Sequence, residues 1–268
     1  MADGLLVGDF RVQGVRLNSL GYNIDFQVGA SQISARDLVG VGGPNMDGVN
    51  PSHHGRYTSP PQFRLSMWVA GNSRAQFESN WETVVSAFVS RDPMITVERC
   101  MGDDTIRTAK CRVAGTVIPD ENRPGGTHDA RFEVVLDIPG IFWYGPEQTS
   151  PWMTAFGSAT AVQFLQPGTA PVTDGVFEIR GPITSPRIEN GDGGYVQLNR
   201  NLASGETWTI DAKNFRSRVG STSVLAQTDY SGSSGYLFET WKPYRFTVTG
   251  GGRDTNTAWR VTARPKFF

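Results

Sequence analysis

Apolar and polar residues alternate along several short stretches in the first half of the chain. Such alternation is typical of half-buried β-strands, because successive side chains of a strand point to opposite faces of the sheet. The two clearest stretches have their apolar positions at Tyr22, Ile24, Phe26 and Val28, and at Phe63, Leu65, Met67 and Val69. Trp68 departs from the pattern, and we expect it on the opposite face of its strand. Further strands are predicted in residues 10–17, 95–98, 106–117 and 131–138.

The period changes once, after residue 72, where apolar residues follow a helical spacing. The members of this stripe are Phe77, Trp81, Val84, Val85 and Phe88. One apolar stripe at this spacing predicts an amphipathic helix over about residues 73–90. Ser73 and Gln76 fit a capping box at its start, and Pro93 lies just beyond its end.

The second half of the chain shows short alternating runs separated by turns rich in Gly, Asn and Asp. These runs lie in residues 161–165, 176–180, 195–198, 206–211, 245–249 and 259–264. Short strands of this kind favour an antiparallel sandwich or jelly roll. We expect Trp208, which lies in an alternating run, to point inward, and residues 217–235, rich in Ser and Gly, to form a mobile loop.

Two segments without strand or helix periodicity stand out between the predicted elements: a long loop and a domain boundary. Residues 36–60 are dominated by Gly, Pro, Asn, Asp and Ser without a sustained period. Loops longer than about 12–15 residues are uncommon inside domains and tend to be functional or disordered. Residues 139–151 combine three Pro with a cluster of large aromatic residues, which indicates a domain boundary near Thr149. We therefore predict domains at 1–149 and 150–268.

Composition and charge exclude several classes of protein. The 268 residues carry 25 Lys and Arg against 26 Asp and Glu, a formal net charge of −1, so there is no overall basic field to hold nucleic acid. No apolar run approaches the roughly 20 residues that a membrane-spanning helix needs. The first residues lack a basic region followed by an apolar one, so we expect no secretory signal, no membrane insertion and synthesis in the cytosol.

The residues that could carry chemistry do not form a recognisable site. His53, His54 and His128 lack the spacing of a metal motif. Cys100 and Cys111 flank a possible hairpin turn; a cross-strand disulfide is one interpretation, but two reduced, partly buried thiols fit a cytosolic protein better. Acidic pairs such as those at 103–104 and 120–121 fit solvated turns. We therefore predict no catalytic residue, no metal site, no cofactor and no enzymatic activity.

Single basic residues recur on the predicted strands and leave two interpretations open. They are either the solvent face of half-buried sheets or a contact face against another subunit, where Arg is enriched. The residues are Arg11, Arg16, Arg64, Arg107, Lys110, Arg112, Arg131, Arg245 and Arg260. Aromatic residues of the second half offer a further alternative, a carbohydrate-binding protein in host-surface adhesion, and its expected glycan contacts are exposed rings at Trp241 and Tyr244.

The order of these segments resembles the distal tail proteins, or minor tail proteins, of long-tailed siphophages. The first half matches through the strand PPQFRLSMWV, the helix with Trp81 and Phe88, the basic strands around 107–117, and the closing aromatic tag FWYGP. The second half matches through short turn-and-strand motifs that follow one another in the same order as in this family. The matching positions are Gly181, Pro182, Ile183, Pro186, Ile188, Asn190, Gly194, Leu198, Leu202, Ala203, Gly205, Glu206, Ile210 and Asp211.

This resemblance implies a mainly β protein. The first domain would be a tail-tube-like β-sandwich or split barrel with one α-helix that forms a ring, commonly a hexamer. The second would be an antiparallel jelly-roll, galectin-like sandwich. The ring would be a structural hub of the virion tail tip, assembled after synthesis in the host cytoplasm. Its implied partners are copies of itself, the tail tube protein, the tape measure protein and the baseplate, hub and other minor tail proteins, while DNA passes through the lumen without specific binding.

A ring subunit needs heterologous interfaces that close on themselves, and edge strands and long loops can reach neighbouring copies. The glycine-rich segment 36–60 is the expected arm. Its predicted interface residues are Gly42, Gly43, Pro44, His53, His54, Arg56 and Tyr57.

Overall fold

A computed structural model describes residues 8–28, 62–89, 92–115, 128–162, 168–170, 174–191, 193–212, 214–230 and 244–267. The chain divides into two compact units, the first ending at Tyr144 and the second spanning Gly145–Phe267. The division precedes the predicted boundary at Thr149, because Gln148 and Thr149 pair with a strand of the second unit. Within the described ranges, no helix has the length and apolar character needed to cross a membrane.

The first unit is one antiparallel sheet with a helix. Its elements are β1 (Phe10–Val12), β2 (Val15–Arg16), β3 (Tyr22–Val28), β4 (Gln62–Ala70), α1 (Arg74–Phe88), β5 (Ile95–Cys100), β6 (Ile106–Val113), β7 (Asp129–Asp137) and β8 (Trp143–Tyr144). The main strand order is β2-β1-β5-β6-β7-β4-β3. Strand β6 links the two parts of the sheet, since its first six residues pair with β5 and its last two residues pair with β7.

This sheet curls on itself to form a half-barrel. Phe10 in β1 and Phe63 in β4 stack with ring centroids 6.2 Å apart, although β5, β6 and β7 lie between their strands in the sheet. Four strand spacings in a flat sheet would separate them by about 19 Å. The two rings meet because the sheet bends around a shared core, which Trp143 fills at 5.7 Å from Phe63.

The predicted alternation in β4 is confirmed. Its four inward residues, Phe63, Leu65, Met67 and Val69, are at most 1% exposed. Trp68 lies on the opposite face, as expected, and donates its Nε1 hydrogen to a carboxylate oxygen of Asp129 at 3.2 Å.

The predicted helix is confirmed as Arg74–Phe88. Ser73 caps its start by accepting the backbone N–H of Gln76 at 3.3 Å, and the Gln76 side chain in turn accepts the N–H of Asn72 at 3.0 Å. The apolar stripe meets β7, where the rings of Trp81 and Phe88 lie edge-on to Phe132 at 5.1 and 6.2 Å.

The second unit is an antiparallel two-sheet sandwich, as predicted. Its elements are β9 (Gln148–Thr149), β10 (Thr160–Ala161), β11 (Val176–Arg180), β12 (Thr184–Asn190), β13 (Tyr195–Leu198), β14 (Thr207–Asp211), β15 (Arg216–Val219), β16 (Thr222–Ser223), a 3-10 turn (Leu225–Gln227), β17 (Thr228–Asp229), β18 (Arg245–Gly251), β19 (Ala258–Ala263) and β20 (Lys266–Phe267). One sheet has the order β10-β18-β12-β13-β17 and the other β16-β15-β14-β11-β19-β9. Their inner faces meet where the rings of Phe177 and Phe246 lie 5.0 Å apart.

The expected mobile loop at 217–235 is wrong for its described part. Strands β15, β16 and β17 occupy much of residues 216–229. Ser217 is 1% exposed, and its hydroxyl accepts the indole N–H of the inward-facing Trp208 at 2.7 Å and lies 2.6 Å from the Thr228 hydroxyl. Small polar side chains are therefore suited to this edge of the sandwich, because they supply the hydrogen-bond acceptor that the buried indole N–H of Trp208 needs.

The two cysteines lie at opposite ends of the β5–β6 hairpin. Cys100 is opposite Ile106, and Cys111 is opposite Ile95. Five residues of strand, about 16 Å, separate two such positions, well beyond the reach of a disulfide. Both are buried free thiols, so the disulfide alternative is wrong.

Candidate functional site

The predicted subunit-interface residues lie outside the described part of the chain. This holds for Gly42, Gly43, Pro44, His53, His54, Arg56 and Tyr57, and also for the expected glycan contact at Trp241. Their roles therefore stay predictions.

Tyr244 is described, and the prediction of an exposed ring at this position is wrong. The side chain is 3% exposed and belongs to the core of the sandwich. Burial raises the pKa of its hydroxyl. The sequence carried the signal, since Tyr244, Phe246 and Val248 alternate and all three are buried.

The first unit presents a polar outer sheet face along β1, β2, β5 and β6. We call it the polar face and define it by Arg11, Arg16, Thr96, Glu98, Thr108, Lys110 and Arg112, whose strand partners place them on one side of the sheet. Its two ends meet acidic residues that are almost completely buried, Asp9 at 4% and Asp137 at 3% exposure.

Each arginine of the polar face has a carboxylate partner. Arg11 pairs with Glu98 across two strands. Arg16 lies 2.7 Å from Asp9, and Arg112 lies 2.7 Å from Asp137. Lys110 donates instead to the Thr96 hydroxyl at 2.6 Å. The arginines of the polar face are thus paired with carboxylates of the same protomer, and both interpretations of these strands, solvent face and contact face, stay predictions.

Arg107 differs from the other strand arginines. It lies directly opposite Arg99, and both share the side of the hairpin that buries Val97 and Ala109. Burial lowers the pKa of both guanidinium groups. Arg99 also lies over the ring of Phe10, 5.6 Å from its centroid. This pair therefore belongs to the edge of the core.

Asp9 holds the two ends of the curled sheet together. One carboxylate oxygen accepts from Arg16 Nε at 2.9 Å and the other accepts from Asn18 Nδ2 at 2.6 Å. Asn18 extends this hydrogen-bond network to β3, because its side-chain oxygen accepts the backbone N–H of Ile24 at 2.9 Å. The network therefore joins the start of β1, the end of β2 and the edge strand β3.

We expect Asp9→Ala to lower the free energy of unfolding by about 2–3 kcal/mol, because a buried charged acceptor of two hydrogen bonds is lost. Arg64→Ala is the control, since its pair with Glu133 at 3.1 Å is exposed and should contribute about 0–1 kcal/mol. Urea unfolding of both variants measures the difference. Equal losses in the two variants would show that the Asp9 network does not stabilise the sheet.

The long edge strand β3 is the second element suited to assembly. It pairs with β4 along one side, and the described residues supply no strand for its other side. A strand edge presents backbone N–H and C=O groups that can pair with another chain. In the sequence, the predicted arm of residues 36–60 lies within the segment that connects β3 to β4.

Metal-ligating groups and thiols are the groups with catalytic potential that the described residues allow to be checked. They contain no group of three His, Cys, Asp or Glu side chains that could hold a metal ion. Burial, with the nearby Asp137 carboxylate, raises the pKa of the Cys111 thiol to about 12, and burial also raises that of Cys100. Neither thiol is a ready nucleophile at neutral pH, since the thiolate is the reactive form.

Comparison with known proteins finds similarity in structure. No protein-family model matches the sequence, and no curated protein matches it. The crystal structure of SPP1 Dit (gp 19.1), described as a paradigm of hub adsorption apparatus in Gram-positive infecting phages, matches with a TM-score of 0.64 and 14% sequence identity over 98% of this chain and 100% of that one. The chain therefore shares the Dit fold.

Two chains from the phage P2 baseplate in its activated conformation match less closely. The structure with Ca has a TM-score of 0.43 and 10% identity over 97% of this chain and 98% of that one. The structure with Sr has a TM-score of 0.41 and 10% identity over 96% and 98%.

Proposed function

We propose that this protein is a structural hub of the tail tip of a long-tailed bacteriophage. Copies of the chain form a ring, with six as the expected number, that joins the tail tube to baseplate or tip proteins. One observation carries the proposal: the fold of SPP1 Dit, a hub protein by its description, extends over nearly the whole of both chains. The order of the sequence motifs supports it independently.

The first unit has the features that a ring subunit needs. Its curled sheet ends on β3, a seven-residue edge strand, and the glycine-rich arm of residues 36–60 follows that strand in the sequence. An edge on one copy that meets a different surface on the next makes a heterologous contact, which closes into a ring when the rotation is right. The predicted interface residues of the arm, from Gly42 to Tyr57, would supply the contact to the neighbour.

The polar face suits a ring through which DNA passes. Binding of DNA by arginine and lysine gains most of its strength from released counterions. The arginines of this face already have carboxylate partners in Asp9, Glu98 and Asp137, so they would hold a phosphate backbone weakly. A lumen lined by such a face lets DNA move without specific binding.

The partners follow from this role. The ring would contact the tail tube protein and the tape measure protein on one side, and hub, baseplate or other minor tail proteins on the other. It needs no cofactor and no catalysis, and its place is the virion tail tip, after synthesis in the host cytoplasm.

The oligomeric state of the purified full chain tests the proposal. We expect sedimentation velocity to show a closed species of about six times the 29.3 kDa protomer mass, and negative-stain images to show rings with a central opening. A chain that stays monomeric up to about 100 µM, a range in which stable interfaces are occupied, would contradict ring formation.

A further inference from the structure

The second unit carries a small open pocket that the hub role does not use. Its volume is about 290 Å³, at the lower end of the range for small-molecule sites. The residues that line it are Thr154, Phe156, Arg253, Asp254, Thr255 and Thr257. They come from two segments, residues 153–157 and the turn between β18 and β19.

The first wall of the pocket is fixed to both sheets of the sandwich. Met153 and Trp259 exchange two backbone hydrogen bonds of 2.7 and 2.9 Å. The Trp259 indole donates to the carbonyl of Ala155 at 2.8 Å, and Gly157 donates to the carbonyl of Val248 at 2.9 Å. Thr154 and Phe156 therefore line the pocket from a segment that is anchored on either side of them.

The second wall is a turn locked by Asp254. One carboxylate oxygen, Oδ1, accepts the backbone N–H groups of Asn256 at 2.7 Å and Thr257 at 3.2 Å. The Thr257 hydroxyl donates to the carbonyl of Pro182 at 2.8 Å, which ties the turn to the body of the unit. Among the described residues, the other oxygen, Oδ2, has only a 3.5 Å contact to the Asn256 amide, so it can accept a hydrogen bond from a ligand.

The positively charged side chain of the pocket, Arg253, is positioned by an aromatic ring. The Arg253 guanidinium lies over the ring of Phe156, 4.9 Å from its centroid, and Phe156 packs against the sandwich core. Within the described chain, Arg253 forms no ion pair. Its N–H groups are thus held beside the pocket, and stacking on the ring reduces the entropy lost when they bind.

The balance of these groups defines the class of ligand. Arg253 donates, Asp254 accepts, and the hydroxyls of Thr154 and Thr255 do both. One positive and one negative side chain leave the lining without net charge, so an anion would meet Asp254 and a cation would meet Arg253. A lining that can both donate and accept hydrogen bonds matches the hydroxyl groups of a sugar, which do the same.

We infer that this pocket binds one neutral sugar residue of a glycan: Arg253 donates hydrogen bonds to the sugar, Asp254 accepts them, and the hydroxyls of Thr154 and Thr255 do both. The inference goes beyond the hub role and does not depend on ring formation. It also assigns the sugar contact to residues other than Tyr244, whose ring is buried.

Saturation-transfer NMR on the full chain tests this site with glucose, galactose, mannose and N-acetylglucosamine as probes. We expect at least one of them to bind with a Kd of about 1–10 mM, the range of a few hydrogen bonds in an open site. The charged analogues glucuronate and glucosamine should bind more weakly than glucose and galactose, or not at all. A charged analogue that binds more tightly than every neutral probe would overturn the assignment, as would the absence of binding by all four neutral probes.

Four variants locate the binding. Thr154→Val and Arg253→Met remove hydrogen-bonding groups from exposed positions of the pocket, and each should weaken binding about tenfold or more. Thr249→Val and Arg245→Met are matched controls on exposed positions of β18 outside the pocket, and both should bind as the unchanged chain does. Thermal melting checks that all four fold. Pocket variants that bind as well as the controls would show that the sugar sits elsewhere.

Discussion

Deletion of residues 42–56 should leave a folded protomer that no longer forms a ring. The segment contains six of the seven predicted interface residues, Gly42 to Arg56, so the expected loss of assembly is complete. Folding should survive because β3 and β4 remain intact on either side. These strands pair as far as Val28 and Arg64, and residues 29–41 and 57–61 are still long enough to connect them. Shortening a long loop changes its closure entropy little.

Sedimentation velocity and thermal melting of the deletion variant measure the two parts of this expectation. A matched variant in which a Gly-Ser linker of equal length replaces residues 42–56 separates sequence from length, and it should fail to assemble as well. A stable ring formed by either variant would show that the arm does not make the subunit contact.

Lys266→Ala should destabilise the second unit by about 3–5 kcal/mol, because it leaves a buried carboxylate without its counter-charge. Lys266 Nζ lies 3.2 Å from Asp174 Oδ1, and the two side chains are only 4% and 14% exposed. Removal of one partner of a buried ion pair costs far more than the pair itself contributes, since the remaining charge has lost its solvent as well as its partner.

A second ion pair two residues away supplies the control. Arg264 and Glu147 lie 3.8 Å apart with side chains 56% and 61% exposed, so Arg264→Ala should cost about 0–1 kcal/mol. Denaturant unfolding followed by tryptophan fluorescence compares the two variants. If Lys266→Ala costs no more than Arg264→Ala, the buried pair does not stabilise this unit.

Local structure followed directly from the sequence where one physical signal dominated. The helix at Arg74–Phe88 combined an apolar stripe with a capping residue, and both are present. The alternation in β4 likewise predicted which side chains are buried, including the outward position of Trp68. These features depend only on neighbours within a few residues, so periodicity is enough to find them.

The curl of the first sheet could not be predicted in this way. It depends on pairings between distant segments, β1 with β5 and β4 with β7, and on the contact of Phe10 with Phe63. The Asp9 network is equally hidden, because a single Asp before a strand has many ordinary roles. Only the three-dimensional arrangement shows that it joins the two ends of the sheet.

The candidate site residues show the same contrast between local features, which the sequence pattern indicates, and features that depend on the folded structure. The expectation of an exposed ring at Tyr244 is wrong, because the alternation of Tyr244, Phe246 and Val248 already indicates burial. The Ser- and Gly-rich composition around Ser217 favours a loop, whereas the hydrogen bond that Ser217 accepts from the buried Trp208 exists only in the folded sandwich. The sugar pocket combines Phe156 with Arg253, nearly a hundred residues apart, and no spacing in the sequence connects them.

Cryo-electron microscopy of intact tails that contain this protein tests the hub role most directly. The account predicts a closed ring of this chain, with six copies, at the level where the tail tube meets the tip proteins, and segment 36–60 of each copy against its neighbour. Density for this chain as isolated protomers, or at a place away from the junction of tube and tip, would contradict it.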